Sequence, residues 1–137
     1  MLFYEIKISY TRQTGEDNPA AVKESYLVQG LTCTDVETRL LDNIKALISG
    51  EWEIKSCKQV QFRDLIPDPN AENWYKARVE LITIDGNKET RKGAYYYVQA
   101  DDINAAVKTL RQALTGEDCE IISIAKSPIM DVFNAVD

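Results

Sequence analysis

The chain has 137 residues, 45% of them hydrophobic, a net charge of −6 and no histidine. That is one domain's worth of chain, enough for a real core, and no apolar run approaches the roughly 20 residues that span a bilayer. Without histidine there is no Ser-His-Asp or Cys-His arrangement and no imidazole zinc ligand. The acidity argues against non-specific polyanion binding, although a local basic strip stays compatible with it.

The opening MLFYEIKISY alternates and carries Glu5 and Lys7, so it reads as a strand over 3–10 and not as a signal peptide. A polar loop, QTGEDNPAAV at 13–22, leads to a second strand ending in SYLVQG at 25–30. Next comes a capping box with Thr34 at the N-cap and Glu37 at the third helical position. Val36, Leu40, Leu41, Ile44, Leu47 and Ile48 then form one helical stripe, and Gly50 suits the left-handed position after it. EIKSCKQVQF at 53–62 is a third strand, and Pro67-Asp68-Pro69 stiffens the joint that follows.

The same order returns. WYKARVEL at 74–81 is a strand, Asp85-Gly86 signals a tight hairpin, and YYYVQA occupies 95–100. Asp101 or Asp102 caps a second helix with Ile103, Val107, Leu110 and Leu114 on its stripe. Gly116 follows it, then EIISIAKS at 120–127. The last segment, SPIMDVFNAVD, is too apolar at Ile129, Met130, Val132 and Phe133 for a free tail. It is expected to pack onto the sheet or the first half; the alternative is a short acidic-aromatic peptide offered to a partner.

SYLVQG and YYYVQA share Tyr26, Val28 and Gln29 with Tyr96, Val98 and Gln99, and Asp64-Leu65-Ile66 echoes Asp131-Val132-Phe133. Matched order and punctuation predict an α+β fold of two tandem β-β-α-β repeats related by a pseudo-twofold. Two helices would lie on one side of an antiparallel or mixed sheet of about six strands. Residues 1–66 form the first repeat, 67–73 a linker and 74–137 the second, together one compact domain.

Strand alternation puts Tyr4, Ile6, Ile8 and Tyr10 on one face, with Tyr75, Ala77, Val79 and Leu81 as their counterparts and Tyr26, Val28, Tyr96 and Val98 joining them. The other face of the second half would then present Trp74, Lys76, Arg78, Tyr95 and Tyr97 together. Aromatics interleaved with cations on an open sheet can stack and neutralise single-stranded nucleic acid. The competing expectation buries those rings where the halves pack or in a homodimer. Cys33, Cys57 and Cys119 are odd in number and lack metal spacing, so they read as reduced thiols of a cytosolic protein. The acidic pairs Glu16/Asp17, Asp101/Asp102 and Glu117/Asp118 read as caps and solvated charge. No catalytic residues, metal ligands or cofactor site are expected.

WYKARV, YYYVQA and SPIMDVF resemble a family of small proteins of unknown function from Bacteroides-type bacteria and their crAss-like phages. The resemblance covers nearly the whole chain; its opening departs, with Phe3-Tyr4 where a Trp-Phe-like start is expected. It carries over no catalytic residue and implies a phage or mobile-element setting. The sequence therefore reads as a small acidic, non-enzymatic interaction module of the (host) cytoplasm with a protein partner and no membrane association. The alternative is a single-strand nucleic-acid binder using the aromatic and basic face.

Overall fold

The computed structural model describes residues 2–12 and 20–134. In chain order these form β1 (Leu2–Arg12), β2 (Ala20–Gly30), α1 (Cys33–Ile44), β3 (Ser49–Val60), β4 (Asp64–Ile66), β5 (Asn73–Asp85), β6 (Lys88–Ala100), α2 (Ile103–Ala113), β7 (Cys119–Lys126) and β8 (Ile129–Phe133). The fold is α+β, as expected, but the strands make two four-stranded sheets and not one. Their orders are β3-β1-β2-β8 and β4-β6-β5-β7. The strands beyond the expected six are the short exit segments β4 and β8. The loop expected at 13–22 lies outside the described residues up to 19, as do Glu16 and Asp17; Ala20 to Val22 belong to β2.

The chain divides into two compact units, Met1–Val60 with Pro128–Asp137, and Gln61–Ser127. This places the boundaries differently from 1–66, 67–73 and 74–137. The reason is strand pairing. β4 lies parallel to β6, with Leu65 opposite Tyr97, so it joins the second sheet. β8 lies parallel to β2, with Val132 opposite Leu27 and Phe133 opposite Val28, so it joins the first. Parallel neighbours need a crossover, which a local hairpin cannot supply. The expected linker belongs to the second unit, where the Gln99 side chain fixes it. The Asp68 N–H donates to Gln99 Oε1 at 3.0 Å, and Gln99 Nε2 donates to the Ala71 carbonyl at 3.0 Å.

In the first unit β1 pairs antiparallel with β2 and β3, and alternate side chains build the core. Tyr4, Ile6, Ile8, Tyr10, Tyr26 and Val28 pack against Val36, Leu40 and Ile44 of α1. The helix starts two residues earlier than expected. Thr32, not Thr34, is the N-cap, and its hydroxyl accepts from the Asp35 N–H at 3.2 Å. Leu47 leaves the expected stripe because Lys45–Leu47 is a separate 3-10 turn, and its side chain is exposed. Glu24 is buried on the core face, accepting from Tyr10 Oη at 3.0 Å and Tyr26 Oη at 2.6 Å. The C-terminal segment packs as expected: Ile129 is buried, and the Phe133 ring stacks on Tyr26 at 5.7 Å between centroids.

The second unit follows the same plan. β5 pairs antiparallel with β6 and β7, and Tyr75, Ala77, Val79, Tyr96 and Val98 pack on Ala106, Leu110 and Leu114. Asp102 is the N-cap, accepting from the Ala105 N–H at 2.8 Å. Ala106 takes the core position nearest the helix start, while Ile103, expected on the stripe, is exposed. Gly86 turns the hairpin with φ 64°, as tight primed turns require. Each outer strand carries a bulge at the same place. Lys55 is the extra residue in β3 between Lys7 and Ile8, and Ile122 is the extra residue in β7 between Arg78 and Val79.

One sequence expectation about the thiols is overturned. Cys33 and Cys57 form a disulfide with Cα atoms 6.2 Å apart, and Cys119 alone is free. Nothing in the 24-residue separation signals this pair. It arises because Cys57 lies opposite Ile6 in the sheet while Cys33 opens α1 above it.

Candidate binding face

β5 and β6 pair residue for residue, which sets Trp74 opposite Gln99, Lys76 opposite Tyr97 and Arg78 opposite Tyr95. All five expected site residues share the sheet face away from the α2 core. Sharing a face does not make them equally accessible. Trp74 is 3% exposed and Tyr97 1%. Both are therefore withdrawn from solvent, which corrects the expectation of a five-residue aromatic and basic platform that includes them. For Tyr97 the cause is local: Phe62 meets its ring edge-on at 5.2 Å, and β4 adds a strand alongside, with Leu65 at its flank. Trp74 lies at the strand end, where its carbonyl accepts from the Ser127 N–H at 2.8 Å.

Lys76, Arg78 and Tyr95 remain accessible in different degrees. Tyr95 is 40% exposed. Lys76 is half-buried, its Nζ 4.7 Å from the Tyr95 ring centroid and 5.5 Å from that of Tyr97. Such contacts hold an ammonium in place without neutralising it. Arg78 is exposed and lies over Gly93: a Cβ there would sit 3.7 and 3.8 Å from two guanidinium nitrogens. A glycine inside a strand often marks such a close approach.

The neighbouring cation is treated quite differently. Arg91 lies 2.7 Å from Glu120, 3.6 Å from Glu89 and 3.8 Å from Glu80. Its hydrogen bond to Glu120 and the surrounding carboxylates raise its pKa. Lys76 and Arg78 make no ion pair among the described residues. The sheet face thus runs from a neutralised cluster to two cations beside one open ring. Alternation places Glu80 on this face, while Arg91, Glu120 and Gly93 escaped sequence reading; the isolated glycine within the strand was the available signal.

The described residues include no group of three or more His, Cys, Asp or Glu that could hold a metal ion. No helix among them is long and apolar enough to cross a membrane.

Fold and face together define an α+β protein with an open sheet surface carrying two cations and a half-exposed tyrosine. The chain belongs to the family described as a domain of unknown function (DUF4494), which matches residues 2–135. No curated protein matches the sequence.

Proposed function

We propose that this protein is a small non-enzymatic binding module that recognises an extended acidic segment of a partner protein through Lys76, Arg78 and Tyr95. The observation that carries the reading is the contrast along one sheet face. Arg91 is answered by three carboxylates, whereas Lys76 lies over the Tyr95 ring and Arg78 lies beside Gly93. Positioned but unpaired cations are ready for an incoming anion, and the neighbouring ring adds apolar contact. The alternative reading, single-stranded nucleic acid, has one accessible ring here where stacking along a strand uses several, and the net charge of −6 opposes a long polyanion.

The test is a titration of a fluorescein-labelled Asp/Glu-rich peptide and a labelled oligothymidine by fluorescence anisotropy. The peptide should bind more tightly, and salt should weaken it. Replacing both Lys76 and Arg78 by Ala should cost about fivefold or more in affinity, as loss of about 1 kcal/mol implies. Tighter oligothymidine binding would favour the nucleic-acid reading, and no response from either probe would refute both.

The two units read as copies of one ancestral β-β-α-β unit, with a pseudo-twofold as the expected relation of the copies. Support comes from the equivalent strand orders, the bulges at matching positions, the N-caps Thr32 and Asp102, and the exit strands added at matching registers. Bulges in particular behave as retained features. The WYKARV, YYYVQA and SPIMDVF motifs support a phage or mobile-element setting, with the module working in the cytoplasm of the host cell.

A further inference from the structure

The two units solve the same packing problem with different side chains. Cys33 is the first residue of α1 after its N-cap, and Ile103 is the first residue of α2 after its own. Cys57 lies opposite Ile6, which faces Tyr26; Ile124 lies opposite Ala77, which faces Tyr96. The place that holds a Cys33–Cys57 disulfide in the first unit therefore holds Ile103 and Ile124 in the second. The second unit keeps its helix, its sheet and its core with Ile124 packed against that core and Ile103 exposed, and with no bond between the two. The fold does not require a covalent bond at this position.

The pair is also reachable. Cys33 is exposed and Cys57 half-buried, in contrast to a structural disulfide sealed in a core. Cys33 stands at the positive end of α1, which favours a departing thiolate at that sulfur. The Cα separation of 6.2 Å lies within the range a disulfide spans without backbone movement, so opening and closing need no rearrangement of the sheet.

We propose that Cys33 and Cys57 are a reversible dithiol–disulfide couple that sets how firmly the start of α1 is held to β3. In the closing direction a low-molecular-weight disulfide supplies the oxidant. One protein thiolate attacks it, releasing one small thiol and leaving a mixed disulfide; the second protein thiolate displaces the other small thiol. Two protein thiols lose two protons and two electrons, and one small disulfide becomes two small thiols. A small thiol reverses the sequence. In the reduced state the first turn of α1 keeps its cap, the packing of Val36 and a weak thiol contact from Cys33 to the Cys57 carbonyl, but no covalent bond ties it to β3 and it opens more readily, while α2 is unaffected.

The experiment uses the full chain equilibrated in glutathione buffers spanning reduced to oxidised, quenched, and labelled with a maleimide for intact-mass analysis. The expected result is a single reversible transition between three labels and one, the remaining label being on Cys119. Hydrogen exchange should rise at least tenfold on reduction in residues 33–38 and stay unchanged at 103–108. Glutathione adducts without an internal bond would overturn the proposal. So would an internal bond that excess glutathione cannot reduce, or equal exchange in both states. Cys33→Ile with Cys57→Ile, which installs the second unit's pair, should give a folded protein with one label under all conditions and exchange that no longer responds to the buffer.

Discussion

Tyr26 and Tyr96 occupy the same register in their sheets, but Tyr26 donates its hydroxyl to the carboxylate of Glu24, two residues before it in the same strand, where Tyr96 has Ala94. Both rings are buried against their helices, so replacing either by Ala should cost about 3–5 kcal/mol in urea-denaturation measurements. The hydroxyls should separate them. Tyr26→Phe leaves buried Glu24 short of one donor and should cost about 1–3 kcal/mol. Tyr96 has Ala94 where Tyr26 has Glu24, and Tyr96→Phe should stay within about 0.5 kcal/mol. Burial raises the Tyr96 pKa, with nearby Glu117 adding to the shift and Arg63 opposing it. An unfolded tyrosine releases its proton near pH 10, whereas folded Tyr96 holds its proton longer. Its contribution is complete below about pH 10 and is lost as pH rises through the raised folded value. The alkaline fall in stability should therefore be shallower in Tyr96→Phe.

At the scale of elements, the strands and their faces were legible and the exchanges between them were not. Period-two alternation separated Tyr4, Ile6 and Ile8 from Phe3, Glu5 and Lys7, and the structure buries the first set as expected. The α1 cap was ambiguous in sequence because Thr32 and Thr34 are each followed three residues later by an acid. Close packing decides it: a Cβ on Gly30 would lie 2.9 Å from Val36 Cγ2, so the strand must end tight against the helix start. The disulfide and the cover that β4 and Phe62 place over Tyr97 escaped for a common reason. Each depends on a contact between segments far apart in the chain, set by sheet register. β4 and β8 are too short to announce themselves, yet they complete the sheets. Deleting 128–137 removes β8 with Ile129 and Phe133, and should lower Tm by several degrees. An unchanged melt would mean that β8 is an accessory to the first unit and no part of its core.

At the scale of the molecule, an acidic chain carries on one sheet face two cations, half-buried Lys76 and exposed Arg78, without an ion pair among the described residues, and the proposed recognition of an acidic segment stands or falls on them. The decisive variant is Lys76→Glu with Arg78→Glu. Glu is compatible with this register: Glu5 sits opposite Leu27 in the first sheet as Lys76 sits opposite Tyr97 in the second. The measurement is the ratio of affinities for an Asp/Glu-rich peptide and a Lys-rich peptide of equal length, at one salt concentration, for the native protein and the variant. The native protein should prefer the acidic peptide, and charge reversal should invert the preference. A ratio that does not change, in a variant whose Tm matches the native protein, would contradict it.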